Sequence, residues 1–380
     1  MSDRIPVMIP WLGQAEADAA AEAVLSGWVA QGPRVARFEQ EFAARVGAGH
    51  GVAVSSCTTA LHLALVACGI GPGDEVIVPS FSFIATANAV RYVGAQPVFA
   101  DVDLETGNLT AETVEPVVTG RSRAVILVHQ GGVPADVGAL RALCDRHGLD
   151  LVEDAACAAG SRYRGRPVGA GAQIAAWSFH PRKLLTTGEG GMLTLDGADD
   201  AQRLRRLREH GMDLSAAARH ASAGPVFESY LETGFNYRMT DIQAAVGLVQ
   251  LGKLDAMVAR RRELAQRYRE LLADVPGVRA VRDPQYGSSN FQSFWVLLDP
   301  ALFPGGGRDD TLRRLAAAGV SARRGIMAAH LEPAYQDTQH VSLPTTERLT
   351  RDSLILPLFH TLTSAQQEHI VDVLRKPADR

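Results

Sequence analysis

Lysine is nearly missing from this 380-residue chain: of its 38 basic side chains 35 are arginine, and only Lys183, Lys253 and Lys376 carry a primary amine. Chemistry that runs through an amine therefore has three candidates. An excess of charge of either sign is missing as well, with 38 basic against 42 acidic side chains and no long basic run. Nothing here matches a phosphate backbone, so nucleic acid is not an expected partner. The basic clusters Arg203, Arg205, Arg206 and Arg208, and Arg260 to Arg262, sit among Leu and Glu and read as solvated helix faces. The four cysteines, Cys57, Cys68, Cys144 and Cys157, form no C-x-x-C pair and no ligand spacing with the 11 histidines. Reduced thiols are expected, and no metal. Apolar runs read as shorter than the roughly 18 residues of a spanning helix, and Met-Ser-Asp-Arg-Ile-Pro at the start is not an apolar signal segment. The expectation is a cytoplasmic protein without a membrane partner.

Several enzyme signatures are also missing. Gly169-Ala-Gly171 has Ile174 where a dinucleotide-binding loop needs its third glycine, and no clear strand leads into it. There is no G-x-x-x-x-G-K loop, no Gly-x-Ser-x-Gly elbow and no His-Glu-x-x-His helix.

What is present is an ordinary globular composition, 46% hydrophobic and 21% charged, in a chain longer than a single core of roughly 250–300 residues supports. Two units are expected, 1–245 and a smaller 246–380. Short β-branched runs at 51–55, 75–79, 96–100, 123–128 and 149–153 alternate with Ala- and Leu-rich stretches, the pattern of βαβ units and a mostly parallel sheet in an α/β fold. Runs at 174–179 and 191–196 flank a loop around Lys183, and a long helix is expected from about 243 to 274. Later come a strand at 293–298, a helix near 309–318 and a last helix after Thr363. Ligands of such sheets sit beyond the carboxyl ends of the strands, which directs attention to Ser55–Thr59, Ser80–Phe83, His129 and Asp154.

Lys183 lies in Ser178-Phe-His-Pro-Arg-Lys-Leu-Leu-Thr-Thr-Gly-Glu-Gly-Gly191. A loop lysine is commonly a solvated charge. Here Phe179, Leu184 and Leu185 are apolar and the glycines let backbone approach a ligand, so desolvation is expected to lower the amine's pKa and prepare it for a Schiff base. Asp154 closes a strand run, where a carboxylate can face a pyridine nitrogen or simply cap the helix that follows. Ser55-Ser-Cys-Thr-Thr59 ends one strand and opens a helix, a turn that can bind an anion or merely cap.

Together these segments resemble the DegT, DnrJ and StrS family of sugar aminotransferases within the aspartate aminotransferase-like fold. The resemblance runs from Ser26-Gly-Trp-Val-Ala-Gln-Gly-Pro33 with Phe38-Glu39 to Leu356-Pro357. Its most specific parts are Glu153-Asp-Ala-Ala156, the Ser178–Gly191 loop, and Gly234-Phe-Asn-Tyr-Arg-Met-Thr-Asp241. It implies fold type I, a seven-stranded sheet flanked by helices with a smaller C-terminal α+β domain, and pyridoxal 5'-phosphate (PLP) as cofactor. Lys183 matches the Schiff-base lysine, Asp154 the partner of the ring nitrogen and Phe83 the aromatic stacked on the ring, unless it is a core residue. Cys57 and Thr58 through their amides, and Ser178, match the phosphate ligands. Asn236 matches a residue supplied by the neighbouring subunit, which implies a homodimer with shared sites. Arg238, His330 and Arg324 with Arg323, and the loop between Gly211 and Gly234, fall near the substrate, although His330 can equally be a satisfied structural histidine. Cys157 departs from the pattern, since the family carries Gln or His there to bond the cofactor's ring hydroxyl, and a thiol bonds weakly. The implied reaction takes an amino group from glutamate to a nucleotide-linked ketosugar. An aminocyclitol precursor or another non-nucleotide ketone is the alternative acceptor, and a non-catalytic binding or regulatory protein of the same fold is the remote one.

Overall fold

The computed structural model describes residues 4–214, 224–338 and 342–377. In chain order the strands are β1 (His50–Val54), β2 (Glu75–Pro79), β3 (Gln96–Ala100), β4 (Ser122–Val128), β5 (Asp150–Asp154), β6 (Arg162–Tyr163), β7 (Arg166–Pro167), β8 (Ile174–Ser178), β9 (Gly191–Leu195), β10 (Val278–Ala280), β11 (Gly287–Ser288), β12 (Phe294–Leu298), β13 (Arg323–Arg324) and β14 (Ser353–Leu356). Seven of them form the main sheet in the order β1-β9-β8-β5-β4-β2-β3, parallel from β8 to β3, with β9 antiparallel to both of its neighbours. A four-stranded antiparallel sheet, β10-β12-β14-β13, forms the second layer.

The strands form where β-branched runs are buried on both faces: Val76, Ile77, Val78 and Val125, Ile126, Leu127 are all inaccessible to solvent. Continuous apolar runs of that kind suit a parallel sheet covered by helices on each side. Behind β8 and β9, Phe38 and Phe42 on helix Pro33–Val46 meet Phe179 at ring centroid distances of 5.2 Å, and Phe42 meets Trp177 edge-on at the same distance. This aromatic knot anchors the start of the Lys183 loop.

The helix Asp241–Leu272 runs for 32 residues, from a capping box in which Thr240 and Gln243 satisfy each other's backbone amides. That cap places its start two residues before the expected one. The helix passes without a break through position 245, and its far half, with Leu264, Tyr268 and Leu272, joins the core beneath β12 and β14. Its most apolar 18-residue stretch has mean hydropathy 1.2, long and apolar enough to cross a membrane, contrary to the short runs expected. One third of that stretch is buried inside the protein: Gly247 lies against Phe38, and Leu254 and Met257 against Leu184.

Candidate active site

Five strand ends of the main sheet converge. Beyond β5, Asp154 is 5% exposed; its Oδ2 accepts the Thr86 hydroxyl at 2.9 Å and its Oδ1 the Ala156 amide at 3.2 Å. Thr86 is in turn 2.9 Å from the Ser82 hydroxyl, so the carboxylate is held from the β2 side as well. Burial pushes the Asp154 pKa up, and the Thr86 and Ala156 bonds with the nearby Lys183 and His129 offset only part of this.

Beyond β4, His129 is inaccessible to solvent. Its Nδ1 accepts the Ala135 amide at 3.1 Å, which leaves Nε2 to donate to Glu153 at 3.1 Å. Its own amide donates to the Asp154 carbonyl at 3.1 Å, so the ends of β4 and β5 are locked together.

The Lys183 loop is tied by Phe179 to Gly190 and Thr187 at 2.9 and 3.0 Å. Gly188 turns it at φ 86°, a conformation that favours glycine. Gln292, two residues ahead of β12, clamps the loop, accepting the Leu184 amide at 2.6 Å and donating to the Arg182 carbonyl at 2.7 Å. Lys183 Nζ donates to Cys157 Sγ at 3.1 Å. Burial by itself would lower the lysine's pKa, but Cys157, Cys57 and the Asp154 carboxylate outweigh it and the net direction is upward. This reverses the expectation from the sequence, which counted desolvation and not the groups brought around the amine. Cys57 moves the same way: burial, then Asp154, holds its thiol well above the usual range.

Beyond β1, the Ser56 hydroxyl accepts the Thr59 amide at 3.2 Å while the Thr59 hydroxyl accepts that of Ser56 at 3.1 Å, opening the helix Cys57–Ala67. The Cys57 and Thr58 amides find no acceptor among the described residues. At the positive end of an 11-residue helix these are donors for an anion. Gly191 lies so close behind the turn that a Cβ there would stand 2.4 Å from the Ser56 carbonyl and 2.7 Å from the Cys57 nitrogen. Ser178 pairs with this same Gly191 across β8 and β9.

The structure thus gathers Lys183, Asp154, Cys57 and Cys157, with Thr58 and Ser178 at the adjoining turn. Phe83, between Ser82 and the helix Ala85–Tyr92, is 63% exposed, which removes the core reading. Asn236 and Arg238 lie on a strip bridged to Glu209 and Val54, alongside the end of β1, with Asn236 exposed. His330 is turned inward, 5% exposed, with Nδ1 2.6 Å from the Ser80 hydroxyl and Nε2 3.6 Å from Glu347, the geometry of a structural histidine. Arg324 is not brought to the cluster: it pairs with the buried Leu354, and its charge acts on Asp309. Arg323, one residue earlier, faces the other way, and the nearby Arg182 charge adds to partial burial in lowering its pKa. Of the loop between Gly211 and Gly234, residues 215–223 lie outside the described residues. His129 was singled out by its place after a strand and Gly191 by its place in the Lys183 loop, each without a role; Thr86 was not in the expected site. Thr86, three residues after Phe83, had no signal of its own, because its role depends on β2 and β5 lying two strands apart.

The residues present fit PLP: a buried amine beside a buried carboxylate, and unpartnered amides at a helix N-terminus for a phosphate. Residues 10–375 match the model of the DegT/DnrJ/EryC1/StrS aminotransferase family. Among solved structures, the aminotransferase TlmJ from Streptoalloteichus hindustanus is 39% identical with TM-score 0.89, over 98% of each chain. DesV from S. venezuelae, solved in complex with a ketimine intermediate, is 37% identical with TM-score 0.90, again over 98% of each chain. DesI, solved in the presence of its TDP-sugar product, is 35% identical with TM-score 0.88, over 99% of this chain and 93% of that one. The chain belongs to the DegT/DnrJ/EryC1/StrS aminotransferase family and is a PLP-dependent aminotransferase.

Proposed function

We propose that this enzyme moves an amino group from glutamate onto the keto carbon of a nucleotide-linked ketosugar, working in the cytoplasm as a homodimer whose sites are completed by Asn236 of the partner subunit. The observation that carries the reading is the placing of the Lys183 amine beside Asp154 and next to the open Cys57 and Thr58 amides. Its support from relatives is that DesI was solved with a TDP-sugar product.

When bound, PLP supplies an aldehyde carbon for the amine and a cationic ring that takes up electrons. The rest falls to the chain. Asp154, its buried carboxylate kept in place by Thr86 and Ala156, would hold a positive ring nitrogen. The Cys57 and Thr58 amides and the Ser178 hydroxyl would bind the phosphate, and the exposed Phe83 would be available to the ring. A cation against Asp154 would weaken one of the charges that hold the Lys183 proton, a change in the direction that frees the amine to act as base. Lys183 then removes the proton from the donor's α-carbon, and in the reverse sense delivers one to the former keto carbon of the sugar.

The test is a yellow holoenzyme whose visible absorbance is abolished by borohydride and bleached by glutamate, then restored by a nucleotide ketosugar from a panel that also holds cyclitol ketones. Lys183→Ala should turn over nothing. Normal transamination by that variant, or restoration by cyclitol ketones alone, overturns the reading.

A further inference from the structure

The Gln292 clamp reaches both sides of Lys183. The Arg182 carbonyl and the Leu184 amide that it binds belong to the two peptide groups flanking the lysine. A peptide group is planar, so fixing both of them fixes the direction in which the Lys183 side chain leaves the backbone. Two residues earlier, Asn290 Nδ2 donates to the carbonyls of Cys157 at 2.9 Å and Ala159 at 2.8 Å. The Cys157 carbonyl sits in the peptide group that follows the thiol. Asn290 Oδ1 in turn accepts the Gln292 backbone amide at 2.7 Å, so the two side chains form one bonded unit. A short segment ahead of β12 thus grips both members of the 3.1 Å contact between Lys183 Nζ and Cys157 Sγ, which come from the loops after β8 and β5. A lysine carries its charge on a flexible four-carbon stem, so a fixed amine needs a fixed backbone beneath it.

The segment itself is held from several sides. Asn290 and Phe291 are inaccessible to solvent and Gln292 is 8% exposed. Phe291 has φ 49°, a left-handed conformation that is costly for a bulky residue and persists only where the surroundings enforce it. The long helix supplies that enforcement. Its Arg261 Nη1 donates to the Phe291 and Gln292 carbonyls at 3.0 and 3.1 Å, while the guanidinium groups of Arg262 and Arg269 lie over the Phe291 ring at 5.5 and 5.3 Å. On the side of the main sheet, the Asn290 amide donates to the Ser161 hydroxyl at 3.0 Å. A Cβ on Gly132, beyond β4, would collide with the Asn290 side-chain oxygen, so glycine there admits the segment. Backbone strain kept at a buried, fully bonded position beside a reactive pair points to a geometry that matters.

We propose that Asn290 and Gln292 are positioning residues for the catalytic amine, which together hold Lys183 against the Cys157 side of the cofactor site, with Arg261 keeping the pair in register. The role belongs to amino transfer as such and goes beyond the choice of donor and acceptor proposed above. Loosening either residue lets the amine leave Cys157. Held there, Lys183 keeps its proton more tightly than at its ordinary value of 10.5; released, it returns toward that value, which is downward.

The experiment strips the full-length enzyme of cofactor, adds PLP across a pH series and follows the bound-cofactor absorbance, with urea unfolding of the same samples. Gln292→Met keeps the side chain's length and loses both of its bonds; Asn290→Ala loses three. Each should move the midpoint of the loading rate to lower pH by about one unit, the scale of a close neighbour's effect. Bleaching of the reloaded variants by saturating glutamate should slow by up to about a hundredfold, as a small misplacement of a reacting group does. Gln367→Met is the control: it removes another inaccessible glutamine, bonded to the Leu264 carbonyl at 2.9 Å, and should lower the urea midpoint while leaving the pH midpoint in place. In a Cys157→Ala background, Gln292→Met should bring no further fall. An unmoved pH midpoint in Gln292→Met would reduce the segment to a staple between two layers and overturn the proposal. An equal second fall on top of Cys157→Ala would overturn it too, since the effect would then bypass the thiol. If Asn290→Ala does not fold, Gln292→Met decides. A wild type that glutamate does not bleach overturns the donor named above, and the pH midpoints then judge this inference by themselves.

Discussion

The amine of Lys183 lies against the sulphur of Cys157, 3.1 Å from Nζ to Sγ, and Asp154 and Cys57 close the same small volume. The reactive amine is held by soft and charged groups together, and their sum outweighs its burial.

Cys157→Ala removes the nearest of those groups. Lys183 should then titrate at lower pH, because burial still disfavours the ammonium and less remains to oppose it. Stripped of cofactor and mixed with PLP across a pH series, the variant should develop the bound-cofactor absorbance with its rate midpoint displaced to lower pH, since the neutral amine is the nucleophile. An unmoved midpoint would mean that the contact carries no electrostatic weight.

Asp154→Asn separates function from stability. The carboxyl binds its proton more tightly in the folded chain than at its ordinary value of 3.8, so above the raised value the ionised form penalises folding, and the penalty fades as pH falls toward 3.8. The stripped variant should therefore resist urea better than stripped wild type at pH 7, with the gap closing near pH 4. Its kcat should fall roughly 10²- to 10³-fold, the loss of a preorganised charge at the reacting group. Equal midpoints at pH 7 would contradict the burial argument.

Gly191→Ala tests the phosphate turn. The added Cβ meets backbone of Ser56 and Cys57, not a side chain that can swing away, so the turn must shift. Overpacking of this kind costs about 1–3 kcal/mol. The expected signature is faster loss of PLP on dilution, followed by absorbance, with near-native circular dichroism.

Glu39→Ala tests the scaffold. Glu39 accepts the Ala53 amide at 2.8 Å and pairs with the buried Arg208, which also donates to the Ala53 carbonyl at 2.7 Å. Removing it leaves a buried guanidinium uncompensated, a loss of about 3–5 kcal/mol in urea unfolding. Glu39→Gln, which keeps an acceptor for the Ala53 amide but not the charge, should lose less; equal losses would mean that the amide bond contributes nothing and the charge everything.

Much of the fold was legible because its strands are apolar on both faces. The runs 75–79 and 96–100 are β2 and β3 to the residue, and β4 begins one residue ahead of the reading. The long helix started early because Thr240 and Gln243 form a cap, a signal present in the sequence but outweighed by the apolar pattern that begins later. Lys183 and Asp154 could be paired because each closes or follows a strand. Arg323 and Arg324 could not be told apart, since adjacent strand residues face opposite ways and only the pairing with Ile355 and Leu354 says which is which.

The sequence by itself determined the single usable amine, the alternation of strands and helices, and the family, because these depend on residue identity and local spacing. The tertiary structure decided what surrounds that amine. Cys57 arrives from one segment and Asp154 with Cys157 from another, with Thr86 holding Asp154 from a third; Cys157, Cys57 and Asp154 together outweigh burial and turn the Lys183 pKa upward where the loop alone suggested the reverse. His330 and Arg324 were decided in the same way, by inward packing and by strand register, because the direction in which a side chain points is a property of the assembled sheet.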